Sequence, residues 1–239
     1  MKKNKLRIAA VGDIHVHEHG QGTYREFFKT ISDRADILLL AGDLTDRGRP
    51  EEAQVLVEEA KECTVPIVAV LGNHDCESGK EREMTEILRE NNIHLLDGEA
   101  FVYEGVGIAG VRGFGGGFGR YMLSSWGEKI VKDFVYETVN EVLKLEKAMS
   151  EIADKRKVIL LHYAPVRQTV EGEPPEIFPF LGSSRLEESI NRVGAAVIFH
   201  GHAHHGTVEG KTATGIPVLN VARPLLKEKK GVDAFVFEV

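Results

Sequence analysis

Three short, almost unbroken apolar runs open the chain, at Leu6–Val11, Ile37–Ala41 and Ile67–Leu71. Runs of this length that do not alternate with polar residues are expected of strands buried on both faces of a sheet. Between them, Tyr24–Arg34 and Glu51–Cys63 predict helices, the second preceded by Pro50, which suits a first helical turn. Strand–helix–strand units of this size predict parallel strands with right-handed crossovers. Each run ends in a glycine and a polar residue: Gly12-Asp13, Gly42-Asp43 and Gly72-Asn73, spaced by thirty positions. One βαβ period therefore returns every strand end to the same edge of the sheet, where open α/β sheets bind ligands.

Downstream the pattern loosens. Lys80–Glu90 predicts a third helix, and Ile93–Leu96, Ala100–Tyr103 and Gly107–Val111 predict strands. Arg112–Gly119 is glycine-rich with two phenylalanines but lacks the setting of a phosphate-cradling loop. It reads as a flexible loop and a candidate substrate-side lid. A long charged helix is expected over Trp126–Lys155, with Leu143, Leu145, Met149 and Ile152 on its apolar face. Lys157–Leu161 and Ala195–His200 are two further apolar strands, separated by a proline-rich loop and a helix near Ser184–Arg192. The tail Thr207–Val239 alternates like antiparallel strands turning at Glu209-Gly210 and Lys230-Gly231. No linker or low-complexity segment divides the chain, so residues 1–239 read as one α/β domain.

Composition narrows the function classes. The 239 residues allow a sizeable core, and a formal net charge of −7 offers no general attraction for nucleic acid. No apolar run approaches the ~18 residues of a membrane span. Lys2, Lys3 and Lys5 are not followed by the apolar segment of a signal peptide, so a cytoplasmic protein is expected. Cys63 and Cys76 have the spacing of neither a disulfide framework nor a zinc site.

The strand ends carry the chemistry. In chain order they read Asp13-Ile14-His15, Gly42-Asp43-Leu44-Thr45-Asp46, Gly72-Asn73-His74-Asp75, His162 and Gly201-His202-Ala203-His204. Carboxylates, imidazoles and an amide oxygen suit Mn, Fe, Zn or Ni better than Mg or Ca, which favour all-oxygen shells. Alternate residues of an extended segment point to one side. The Asp-x-His and His-x-His pairs can therefore each aim two ligands at one metal edge, or straddle two metals.

In this order the motifs resemble those of the calcineurin-like metallophosphoesterase superfamily, from residue 13 to residue 204. The resemblance implies a four-layer α/β/β/α sandwich of two mixed sheets and a centre of two divalent transition-metal ions, with Mn the ion expected to serve in vitro. It implies that Asp13, His15 and His204 hold one metal, that Asn73, His162 and His202 hold the other, and that Asp43 bridges them. It further implies in-line attack on phosphorus by a metal-bridged hydroxide, without a covalent intermediate. His74 would protonate the leaving group, Asp46 would orient His74, and Arg47 would contact the phosphate as in the Ser/Thr protein phosphatases. Gly72-Asn73-His74-Asp75 departs from the Gly-Asn-His-Glu of those phosphatases, and the chain is shorter than their catalytic domains. A small or nucleotide-type phosphodiester is therefore the leading substrate. Phosphomonoester or phosphoprotein hydrolysis and nuclease action are the alternatives. A non-catalytic scaffold ranks last, because all seven ligand positions are filled. His17, His19, His205, Arg112, Arg167 and Arg223 are further candidates for substrate contact, and the loops Arg112–Gly119 and Arg167–Gly182 are expected to set substrate choice.

Overall fold

The structure, a computed structural model, describes residues 5–239; Lys2 and Lys3 lie outside the described residues. The apolar runs form β1 (Arg7–Val11), β2 (Ile37–Ala41) and β3 (Ile67–Val70), with α1 (Arg25–Arg34) and α2 (Pro50–Ala60) between them. α3 (Glu81–Glu90) leads to β4 (Ile93–Leu95), β5 (Glu99–Tyr103) and β6 (Val106–Gly110), and then come α4 (Lys129–Glu151) and β7 (Arg156–Leu160). α5 (Phe178–Leu181) and α6 (Ser184–Val193) precede β8 (Val197–His200), β9 (Glu209–Lys211) and β10 (Pro217–Asn220). α7 (Arg223–Lys230) and β11 (Phe235–Glu238) follow. One sheet has the order β11-β1-β2-β3-β4 and the other β5-β6-β7-β8-β10-β9. Strands β1 to β4 are parallel with β11 antiparallel at their edge. In the second sheet the parallel set β6-β7-β8-β10 is flanked by antiparallel β5 and β9.

The side-chain period of two along each strand then builds three apolar layers. Ile8, Ala10, Ile37 and Leu39 pack between the sheets against Ile108, Leu160 and Phe199. Their sequence neighbours Ala9, Val11, Leu38 and Leu40 meet Phe28 of α1, Leu56 of α2 and Leu88 of α3. Beyond the second sheet, Ala109, Ile159 and Ile198 meet Leu145 and Met149 of α4 and Ile190 of α6. The order is helices, sheet, sheet, helices: the four-layer sandwich. Full burial of one such side chain is worth about 1.5–3 kcal/mol, and burial on both faces explains runs without alternation.

Three expectations are corrected. Residues 223–230 form a helix instead of a strand, because Pro224 suits its first turn, Leu225 and Leu226 bury in the inter-sheet core, and Gly231 (φ 67°) caps its end. β10 also runs parallel to β8, with the tight turn at Thr212–Gly215. On α4, Leu143 is 57% exposed, whereas Thr138 and Glu141 are buried. Glu141 is tolerated inside because the Gly113 amide and the Lys144 ammonium both donate to its carboxylate. Finally, the glycine-rich loop is no free lid. The amides of Gly116 and Gly117 donate to the carbonyls of Pro179 and Gly182, and the Thr138 hydroxyl donates to that of Gly115. Among the described residues, no helix is long and apolar enough to cross a membrane.

Candidate metal centre

The C-terminal ends of β1, β2 and β3 from one sheet and of β7 and β8 from the other meet at a single edge, so all five motifs converge. The chain bends sharply there. Asp13, His15, Asp43 and His202 have φ of 56°, 47°, 48° and 72°, four of the six non-glycine residues with positive φ among the described residues. Such conformations cost on the order of 1 kcal/mol or more each and gather where function holds them. Two glycines admit the carboxylates: a Cβ on Gly72 would lie 2.1 Å from Asp43 Oδ1, and one on Gly201 2.3 Å from Asp13 Oδ2.

Three groups of donors result, two of them made of the expected ligands; the third, His15, Asp46 and His74, shares His15 with the first. In the first, ligand atoms of Asp13, His15 and His204 lie within 4.8 Å of one another; in the second, those of Asp43, His162 and His202 do. The His-x-His pair thus straddles the two sets, while Asp-x-His serves one. In the first set His204 Nε2 is 3.0 Å from Asp13 Oδ1, and the His202 amide donates to both Asp13 oxygens at 3.0 Å. In the second, His162 donates through Nδ1 to the Ala41 carbonyl (2.9 Å), which turns Nε2 toward the other donors. Nε2 lies 2.8 Å from Asn73 Oδ1 and 3.4 Å from Asp43 Oδ1. Asp43 looks both ways, its Oδ2 lying 3.8 Å from His15 Nε2.

Electrostatics follow burial and pairing. Burial pushes the Asp13 carboxyl upward, but the His204 hydrogen bond and the neighbouring imidazoles overcome it and hold Asp13 at about 2. Burial raises Asp43. Burial also pulls His202 down to about 3 and lowers His15, so these two imidazoles favour the neutral, ligating form. The hydrogen bond to Asp13 raises His204. His15 Nδ1 is buried with no hydrogen-bond partner. An orphaned imidazole nitrogen beside converging imidazoles and carboxylates fits a divalent cation.

The remaining expected residues divide. His74 lies edge-on to His15, 4.6 Å between centroids, and its amide donates to Asp43 Oδ1 at 2.9 Å. Burial opposes protonation of His74, but its bond to Asp46 and the Asp43 charge raise its pKa. Asp46 differs from expectation in the atom it uses: its backbone carbonyl accepts from His74 Nδ1 (2.7 Å). Its carboxylate lies instead 3.9 Å from His15 Nδ1, 3.4 Å from His17 and 3.5 Å from Arg47. The bend at Asp46 turns carbonyl and side chain apart. Arg47 is exposed at the rim of the site, in a cleft with His17, His19 and Arg49. Three arginines have partners outside the donor groups. Arg112 donates to Cys76 Sγ and Glu137, Arg167 pairs with Glu171 and stacks on Phe178, and Arg223 pairs with Asp233 and covers Tyr24. Burial pushes the Cys76 thiol up to about 11, and His205 is exposed.

Two positioning residues escaped sequence reasoning. The buried Asp75 carboxylate accepts from the amides of Gly72, Leu44 and Thr45 and from the Thr45 hydroxyl, locking the β3 loop to the β2 loop. Asn220, buried at the end of β10, donates to the Ala203 carbonyl and so holds the His202–His204 loop. Adjacency to His74 was the available signal for Asp75, and a position just after an apolar strand was the one for Asn220.

A family model described as calcineurin-like phosphoesterase matches residues 6–206. An Arcobacter nitrofigilis protein named "Probable glycerophosphodiester phosphodiesterase GpdQ" is 24% identical over 234 residues, covering 91% of this chain and 78% of its own. The phosphopantetheinyl hydrolase PptH of Mycobacterium tuberculosis has the same fold at TM-score 0.65 and 14% identity, covering 99% of this chain and 96% of that one. The protein TT1561 of Thermus thermophilus matches at TM-score 0.62 and 17% identity, covering 98% of this chain and 99% of its own.

Proposed function

Because the chain belongs to the calcineurin-like phosphoesterase family and is thereby a phosphoester hydrolase, we propose that it is a two-metal phosphodiesterase acting on a small or nucleotide-type substrate. One observation carries the two-metal reading: the oxygens of Asp43 face His162 of one donor set and His15 of the other. In this reading Asp13, His15 and His204 hold one ion, Asn73, His162 and His202 hold the other, and Asp43 touches both. Mn, Fe, Zn and Ni all suit these donors. Bound there, two divalent ions would neutralise the phosphoryl oxygens and acidify a water.

The chain's own groups do the rest. The Asp46 carbonyl accepts a hydrogen bond from His74 Nδ1–H, which fixes the ring and leaves Nε2 to give its proton to the departing alkoxide. Arg47, exposed at the rim 3.5 Å from the Asp46 carboxylate, would contact the phosphate. Diester cleavage leads because the Arcobacter relative bears a phosphodiesterase name. Monoester cleavage is the second reading, favoured by Arg47 in the Gly42–Gly48 stretch.

The test is a panel with Mn added: bis-p-nitrophenyl phosphate, p-nitrophenyl phosphate, a glycerophosphodiester, a phosphopantetheinyl ester, a cyclic nucleotide, a phosphopeptide and single-stranded DNA. The diesters are expected to react fastest; a faster monoester would install the second reading. His74→Asn is expected to keep its metal and lose roughly 10²–10⁴ in turnover. Near wild-type turnover in that variant would remove the acid role.

A further inference from the structure

The two sides of the proposed centre differ in chemistry. On the His202 side stands a row of aromatic rings. Tyr163 lies 4.5 Å from the His202 ring, Phe114 5.6 Å from Tyr163, Phe134 4.9 Å from Phe114 and Phe180 6.0 Å from Phe134. The Phe180 carbonyl accepts from His202 Nε2 at 3.1 Å, so the backbone at the end of the row abuts the centre. The Phe180 side chain packs edge-on against Phe134 and is otherwise open, 59% exposed.

On the His15 side the surface is ionic. His15 meets His74, His74 is tied to Asp46, and Asp46 opens into a cleft of ≈ 620 Å³ lined also by His17, Glu18, His19, Arg47 and Arg49. These groups pair with one another, Arg49 with Glu18 at 3.3 Å and His17 with Asp46 at 3.4 Å, so the cleft offers both donors and acceptors. A phosphodiester whose phosphorus sat between the donor sets could direct one ester arm toward each side.

We propose that the substrate is an unsymmetrical phosphodiester joining a hydroxylated polar alcohol to an apolar alcohol, with the apolar arm against Phe180 and the polar alcohol released. The inference rests on the phosphodiesterase reading. His74 belongs to the ionic side, so the oxygen it can protonate is that of the polar arm. The oxygen of water forms the new P–O bond. The P–O bond to the polar alcohol breaks, and its electron pair goes to the departing oxygen. His74 supplies the proton that oxygen takes up, and the proton lost by water returns to His74 through solvent. The products are a free polar alcohol and the phosphomonoester of the apolar one.

Glycerol hexyl phosphate tests this by comparison with Phe180→Ala, because glycerol is intrinsically the better leaving alcohol and only a change of product ratio reads the protein. Phosphorus NMR is expected to find the ratio of hexyl phosphate to glycerol phosphate about tenfold higher with the wild type than with Phe180→Ala, the discrimination that one or two methylenes in an apolar contact supply. An equal ratio from the two proteins overturns the proposal. A second readout needs no turnover: calorimetric titration of hexyl phosphate and methyl phosphate into metal-free and Mn-loaded protein. Hexyl phosphate should bind roughly tenfold tighter, with the gap closing in Phe180→Ala, where the ring is exposed and the fold loses little. A gap that persists in Phe180→Ala removes the apolar arm from that ring. If no diester at all is cleaved, the phosphodiesterase reading fails and the titration still decides the Phe180 contact. Turnover of bis-p-nitrophenyl phosphate without turnover of glycerol hexyl phosphate sinks the inference alone.

Discussion

The two donor sets are held by different means. In the Asp43–His162–His202 set, each imidazole has one nitrogen anchored on a main-chain carbonyl, that of Ala41 for His162 and that of Phe180 for His202. In the Asp13–His15–His204 set the donors hold one another: His204 leans on Asp13, and His15 Nδ1 has no partner. A carbonyl anchor fixes tautomer and ring direction without using up a ligand. The second set is therefore preorganised, whereas the first must surrender the proton shared by His204 and Asp13 before it can ligate. Tight and weak metal sites should follow from this difference alone.

The largest expected effect erases the comparison. Asp43 faces both sets, so Asp43→Asn should strip both ions and activity together. Its loss of affinity should exceed the roughly 10–100-fold typical of groups that only support a ligand. Plasma mass spectrometry that still found two ions per chain would break the shared role.

The next pair sharpens the contrast. His162→Ala should abolish the tighter of two Mn affinities and cost about 2–4 kcal/mol in urea unfolding, since it opens a cavity and strands the Ala41 carbonyl. His15→Ala should abolish only the weaker affinity, at a cost under about 1 kcal/mol, because its Nδ1 loses no partner. Equal stability costs would show that the sets are not held differently. Asp75→Asn, which sets an amide N–H against backbone N–H donors, should cost about 1–3 kcal/mol and weaken both Mn affinities.

The smallest effect is one of pH. In chelator, the Asp13–His204 bond depresses Asp13 from 3.8 to about 2 and raises His204 above 6.5. Stability from the Asp13 shift is present above pH 3.8 and lost as pH falls toward 2. Stability from the His204 shift is present below pH 6.5 and lost as pH rises through the raised value. The pair therefore contributes fully between about pH 4 and 6.5, and His204→Gln should flatten that window in thermal melts. Mn binding to the first set should strengthen with pH over the range where His204 gives up its proton.

How much of this was legible depended on whether the cause was local. β1, β2 and β3 announced themselves because burial on both faces leaves an unbroken apolar run. The strand-end residues stood out because a turn after such a run seldom carries so many metal-type side chains. The tail misled, since Pro224, Leu225 and Leu226 fit a helix only once an inter-sheet core exists to receive them. Leu143 misled for the opposite reason: Glu141 takes the buried face only because the Gly113 amide, distant in sequence, answers its carboxylate.

By itself, then, the chain determined the strand period, the shared sheet edge and the kinds of atoms brought there, all set by neighbours a few residues away. Only the tertiary structure decided which atoms meet. It split His202 from His204 between two sets, gave His74 the carbonyl of Asp46 instead of its carboxylate, drew Arg112 away to Glu137, and set an aromatic row opposite an ionic cleft. Those outcomes turn on bond directions between segments up to about 190 residues apart, and hydrogen bonds are selective in angle and distance where hydrophobic pattern is not.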